Sequence, residues 1–203
     1  MTRLPLELAF KGQRNYLQGP DILCGLLGSL SQAGTDVDGA LAATFRRKVG
    51  VQPDIVIADD ANAVGSPENS FGHWTAVSGP HKVRGWFVET DRHVDGRVPY
   101  DEDSVIDRCA KSSNEVAFDG VTTLNATELA VAMVKSLHND RFALGADAHW
   151  VVCQFALDRP LLDEHKQGMR VELHSTLGKR LTKSIVFSGG QMLGHLFFSP
   201  AER

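Results

Sequence analysis

The chain has 203 residues, a hydrophobic content of 42% and a charged content of 23%, enough apolar material for a sizeable core in one large domain or two small ones. A net charge of −4 offers no bulk attraction to nucleic acid or to an anionic membrane surface, and no apolar run reaches transmembrane or signal-peptide length. Cys24, Cys109 and Cys153 are widely spaced among apolar neighbours and form no metal or disulfide pattern, so reduced, buried thiols and a cytoplasmic setting are expected.

In chain order, the first segment is ELAFKG (7–12), expected as a strand, followed by the polar loop KGQRNYLQGPD. Ile22, Leu23, Leu26, Leu27 and Leu30 then recur at helical spacing, with Pro20 placed where a first-turn proline is tolerated and Gly34 as a stop. DIVIAD (54–59) reads as a short buried strand, and HWTAVS with KVRGWFVE as a hairpin turning at Gly79-Pro80. The stretch TDRHVDGRVPYDEDS is polar and turn-rich and reads as a linker, with a domain boundary near residue 100.

After it the text starts again. EVAFDG (115–120) matches ELAFKG at four of six positions, and a second apolar helical stripe follows at Leu129, Met133, Val134 and Leu137. A shift of 107 places Ile22 on Leu129, Leu26 on Met133, Leu27 on Val134 and Leu30 on Leu137, so strand, loop and helix repeat in register. Strands complete the second half. WVVCQFAL (150–157) is apolar on both faces, as a strand covered on two sides would be. MRVELHS alternates with Met169, Val171 and Leu173 on one face. LTKSIVF returns with Ile185 and Phe187 expected inward, and MLGHLFFS closes the chain after a turn at Gly189-Gly190.

Nucleophile-elbow, phosphate-loop, dinucleotide and zinc-protease motifs are absent from the sequence, and the eight histidines show no i, i+4 pair, so neither a metal nor a cofactor is expected. The shift of 107 also places Asp21 on Glu128, each in the first turn of its helix. An acid there complements the helix dipole and accepts from free amides, and NATE (125–128) has the form of a capping box.

Strand, helix and antiparallel strands, occurring twice in tandem, resemble a double hotdog, in which a curled antiparallel sheet wraps one central helix in each half. The resemblance implies an α+β fold of two halves, 1–100 and 101–203, paired as a pseudo-dimer. It also implies action on acyl groups thioester-linked to coenzyme A or an acyl carrier protein, as thioesterase or dehydratase, at a site beside a helix start. Asp21 would then be a general base or nucleophile, with Glu128 as its counterpart, and the amide of Gly19 would polarise the thioester carbonyl. The first loop carries the richer set: Arg14 to hold a phosphate of the carrier, Asn15 beside it, and Tyr16 to line an acyl tunnel. A dehydratase would need a histidine as partner to the acid, and His73 or His149, each preceding a tryptophan, could serve.

Structural readings stand beside these. Asp21 and Glu128 may be read as plain caps, Arg14 as a solvated loop cation, Tyr16 as a core aromatic, and His73, His149 and His195 as sheet-edge residues. A histidine in a Gly-rich stretch just before the helix is missing, which favours hydrolysis or acyl binding over dehydration. A non-catalytic acyl-binding or assembly module is the alternative function. A flat sheet covered by helices is the alternative fold, to be decided by how far helices 20–31 and 127–138 are enclosed. Gly25, Gly28 and Ser29, and Lys135 with Ser136, leave one side of each helix small or polar, where the two halves or a second copy in a homodimer would meet.

Overall fold

A computed structural model of the chain describes residues 1–58, 65–144 and 148–202. The chain divides into two compact units, Met1–Tyr100 with Asp158–Pro160, and Asp101–Leu157 with Leu161–Arg203. Each combines a large antiparallel sheet with few helices.

The first unit contains β1 (Thr2–Pro5), β2 (Phe10–Lys11), α1 (Gly19–Gln32), β3 (Leu41–Phe45), β4 (Pro53–Ile57), β5 (Ser70–Ser78), β6 (His81–Glu89) and β7 (Arg97–Val98). Its sheet runs β1-β4-β6-β5-β3, every neighbour antiparallel, while β2 and β7 form a short parallel pair. The hairpin turns at Gly79-Pro80 as its sequence suggests. Asp59, the last residue of the expected strand 54–59, lies outside the described residues.

Strand alternation sorts this unit's apolar residues onto two faces. Leu41, Ala43, Ile55, Phe71, Trp74 and Phe87 are all at most 1% exposed. Helix α1 buries Ile22, Leu23, Leu26 and Leu30, whereas Leu27 is half-buried and Gly28 exposed. The indole of Trp74 packs close to the backbone of β6 at Gly85. A Cβ on Gly85 would sit 1.9 Å from the Val56 carbonyl oxygen and 2.7 Å from the indole, so only glycine fits beneath that ring.

The stretch read as a linker is tied down. Arg92 donates to the Asp54 carboxylate (2.8 Å) and to the carbonyls of Pro53 (3.3 Å) and Leu6 (3.4 Å), and pairs with Glu7. Its own carbonyl accepts from the Gln52 amide (2.9 Å), and Gly96 and Val98 accept from Phe10 and Gly12. Turn-rich composition signals irregular backbone, and here that backbone is hydrogen-bonded into the first unit.

The second unit contains α2 (Asp103–Arg108), β8 (Ala110–Lys111), β9 (Glu115–Phe118), α3 (Ala126–Arg141), β10 (Ala148–Leu157), a 3₁₀ turn (Asp163–Lys166), β11 (Met169–Leu177), β12 (Leu181–Ser188) and β13 (Gln191–Glu202). Its strands run β10-β13-β12-β11-β9-β8, all antiparallel. Helix α3 is enclosed: every residue from Ala126 to His138 is buried except Lys135. The expected polar side of this helix is therefore not open. Ser136 is wholly buried, and Lys135 donates to both Glu102 carboxylate oxygens (3.1 and 2.9 Å) from the start of α2.

Two strands depart from their expected pattern. On β12 the buried residues are Thr182, Ser184 and Val186, while Ile185 and Phe187 are half-buried on the opposite face. A polar partner explains the inversion: the Thr182 hydroxyl meets the imidazole Nε2 of His138 at 3.0 Å. His138 is wholly buried, ringed by Trp150, Phe142 and Phe198 at centroid distances of 4.6, 5.6 and 5.2 Å. On β10 a bulge between Val152 and Gln154 keeps Trp150, Val152, Phe155 and Leu157 on the buried face, leaving the other face half-buried where full cover was expected. The cysteines are likewise half-buried.

Candidate functional site

Helix α1 begins without the usual equipment. Its N-cap residue is Gln18, in extended conformation, whose side chain makes no capping hydrogen bond. Gly19 and Pro20 follow, so the first turn offers the Gly19 amide and lacks one at proline. Gln18 is nevertheless 5% exposed, and its Nε2 is buried with no hydrogen-bond partner among the described residues. A buried amide donor beside an unfinished helix start is a place where a carbonyl oxygen can be received.

Asp21 stands in that first turn, and its carboxylate forms an ion pair with the ammonium of Lys11 on β2. The Lys11 and Asp21 side chains are 17% and 11% exposed, so the pair is largely withdrawn from water. The Lys11 ammonium lies 5.3 Å from the ring centroid of Tyr100, and the Arg14 guanidinium 5.1 Å from the same ring. Gly12 makes the turn after Lys11 at φ +56°, and Arg97 donates to the carbonyls of Gly12 (2.6 Å) and Arg14 (2.9 Å). Asp21, Arg14 and Gly19 thus come together, joined by Lys11, Gln18 and Tyr100, which sequence reasoning did not select.

No protein-family model matches this sequence, and no curated protein matches it. Among solved structures, the dehydratase domain of PpsC from Mycobacterium tuberculosis, in complex with C12:1-CoA, is 10% identical over 98% of this chain and 92% of that one, with a TM-score of 0.53. A putative thioesterase II from Thermobifida fusca YX is 11% identical over 98% and 91%, with a TM-score of 0.50. The chain has the hotdog fold. At these identities the likeness concerns the fold alone.

In this hotdog protein the remaining expected site residues lie apart from Asp21 or have other partners. Tyr16 is half-buried, with the Lys48 ammonium 5.0 Å from its ring centroid, and Asn15 is exposed, its carbonyl 3.2 Å from where a Cβ of Gly50 would lie. His73 is exposed on β5, a strand with β6 on one side and β3 on the other, so the sheet-edge reading fails for it. Burial, and then the nearby Arg46, push its imidazole below the ordinary histidine range. Among the described residues no hydrogen bond or ion pair links His73 to Asp21. His195 is half-buried on β13, between β10 and β12, again not an edge, and His149 is half-buried on β10.

Glu128 completes a capping box. Its amide donates to the Asn125 side chain (3.0 Å), and its carboxylate accepts from the Asn125 amide (2.9 Å), as the NATE signature indicates. Among the described residues no three His, Cys, Asp or Glu side chains could together hold a metal ion, and no helix is long and apolar enough to cross a membrane.

A signal for Lys11 was present in the sequence. The hexapeptides ELAFKG and EVAFDG differ in charge at their fifth position, Lys11 against Asp119, while the acids that follow, Asp21 and Glu128, keep their sign. Only the first hexapeptide can offer its helix acid a cation.

Proposed function

We propose that this chain hydrolyses acyl thioesters of coenzyme A or of an acyl carrier protein, with Asp21 as the reacting carboxylate. The observation that carries the reading is the start of α1, where Asp21 stands in the first turn paired with Lys11, and the N-cap Gln18 has a buried side-chain amide with no hydrogen-bond partner among the described residues. The hotdog fold, and a solved neighbour in complex with C12:1-CoA, support the substrate class.

In the reaction, Asp21 takes a proton from a water whose oxygen attacks the thioester carbonyl carbon. The carbonyl oxygen gains charge, and the donors of Gln18 and Gly19 stabilise it. The carbon–sulfur bond then breaks, the proton held by Asp21 passes to the departing thiolate, the thiol and the acid leave, and Asp21 is ionised again. Direct attack by the carboxylate is the other course. It would leave a mixed anhydride, distinguished by transfer of label from ¹⁸O water into Asp21 in a single turnover. Arg14, held over Tyr100, is suited to meet a carrier phosphate, with Asn15 and Tyr16 on the same loop.

In the same reading the two units are the halves of a tandem hotdog duplication with its boundary near residue 100, working in the cytoplasm. The second helix start, with Glu128, is a structural remnant. Thiol release from a panel of acyl-coenzyme A thioesters, followed with 5,5′-dithiobis(2-nitrobenzoic acid), tests the proposal. Turnover lost in an Asp21→Asn variant that still unfolds cooperatively supports it, and Lys11→Met serves as the control for the stability lost with the ion pair. Binding without release would make the chain an acyl-binding module instead.

A further inference from the structure

The start of α1 holds a feature that simple hydrolysis does not require: the reacting carboxylate is paired with an ammonium inside the protein. We infer that Lys11 is a positioning residue that keeps Asp21 ionised in the resting site, so that the reaction begins with a base or nucleophile there and not with the carboxylic acid that dehydration of a 3-hydroxyacyl thioester demands. The inference rests on the thioester reading given above and narrows its reaction class.

An ammonium at ion-pair distance favours the carboxylate over the carboxylic acid, and enclosure of both groups strengthens the coupling, because little water remains to screen it. Protonating Asp21 would strand a half-buried ammonium without its counter-ion, which opposes the change. A dehydratase acid must hold a proton and pass it to a departing hydroxyl, so its environment has to raise its affinity for that proton. The Lys11 ammonium acts on Asp21 in the opposite direction.

Lys11 is also fixed in place. It belongs to β2, which pairs with β7 through Phe10–Arg97 and Lys11–Val98. The following turn is bound by Arg97 at two carbonyls, and the Tyr100 ring lies under the ammonium. The Arg14 guanidinium lies over the same ring, 5.1 Å from its centroid. A lysine so placed sets the ionisation and the direction of the Asp21 carboxylate without touching substrate.

The test separates this inference from the reading beneath it. Carboxyl ¹³C chemical shifts report the titration of Asp21 directly, with no substrate present. In Lys11→Met the Asp21 midpoint is expected to rise by about 1–3 pH units, and Lys11→Arg should restore it. Should Lys11→Met fail to fold, Lys11→Gln, which keeps a donor and loses the charge, takes its place. A midpoint that stays put when the charge is removed overturns the inference whatever the enzyme does.

With substrate, wild-type protein should release thiol from acyl-coenzyme A and fail to hydrate a trans-2-enoyl-coenzyme A. The acidic limb of kcat/KM against pH should follow the carboxyl midpoint upward in Lys11→Met, with about tenfold loss per pH unit below it, and return in Lys11→Arg. Hydration of the enoyl thioester by wild-type protein would overturn the inference while leaving a thioester site intact. Turnover of neither substrate would overturn the thioester reading, and the restriction to hydrolysis with it; the ¹³C titration would still tell whether Lys11 holds Asp21 ionised.

Discussion

The two long helices begin in opposite ways. At the start of α3, Asn125 and Glu128 satisfy each other's backbone amides, and the acid is consumed by that exchange. At the start of α1, Gln18 caps nothing, proline follows, and Asp21 pairs with a lysine from β2. A closed helix start contributes stability and leaves no donor or acceptor over. An open one forgoes that contribution and keeps polar groups for a visitor. The difference is why the proposal assigns its chemistry to the first unit.

Substitution of the two acids should break the comparison most sharply. Asp21→Asn is expected to lower thiol release about 10²- to 10⁴-fold, while Glu128→Gln leaves kcat/KM within error. Equal losses in both would show that the open start has no special role. Next in size is Gln18→Ala, which should cost about 10²- to 10³-fold in kcat, as loss of one oxyanion donor does, with no fall in melting temperature. A large drop in stability would instead make Gln18 a structural residue with an unseen partner.

The units should also differ in acid. Burial lowers the His138 imidazole from 6.5 to about 4, so it is neutral in the folded unit at pH values where the unfolded chain binds a proton. Stability is then fully present above about pH 6.5 and falls progressively to about pH 4, by about 3 kcal/mol in all. The residue 107 positions earlier is Ser31, whose hydroxyl donates to the exposed Asp36 (2.6 Å), so α1 carries no such group. Amide hydrogen exchange at pH 7 and pH 4.5 should show α3 losing protection more steeply than α1, and equal losses would refute the assignment. The smallest expected effect is Asn125→Ala, about 1 kcal/mol of stability read by urea unfolding, against a negligible change for Gln18→Ala.

Much of the fold could be read from periodicity. The stripe Ile22, Leu23, Leu26, Leu30, the alternation on β11 and the Gly-bearing turns are local signals, and local signals survive into the structure. The NATE capping box is local too. What escaped depended on partners distant in sequence. Ile185 and Phe187 yield the core face of β12 to Thr182 and Ser184 because His138, 44 residues before Thr182, requires a hydroxyl there. Lys11 and Tyr100 acquire their roles only when β2, β7 and the start of α1 meet. Of the proposed site, Asp21, Gly19 and Arg14 could be selected beforehand because a helix start and its loop can be found from sequence. The groups that surround Asp21 had no comparable mark beyond the changed sign at Lys11.

The hydrogen-bonded stretch after β6 bears on how this protein can be taken apart. Cutting the gene at Thr90, where the polar run begins, would strip the N-terminal fragment of Arg92, of strand β7 and of the ring beneath Lys11. Such a fragment would keep its five-stranded sheet and still lose the braces around Asp21. Dissection of the first unit therefore has to carry the chain through Tyr100, and trypsin should find Arg92 and Arg97 poor places to cleave despite a sequence that advertises them.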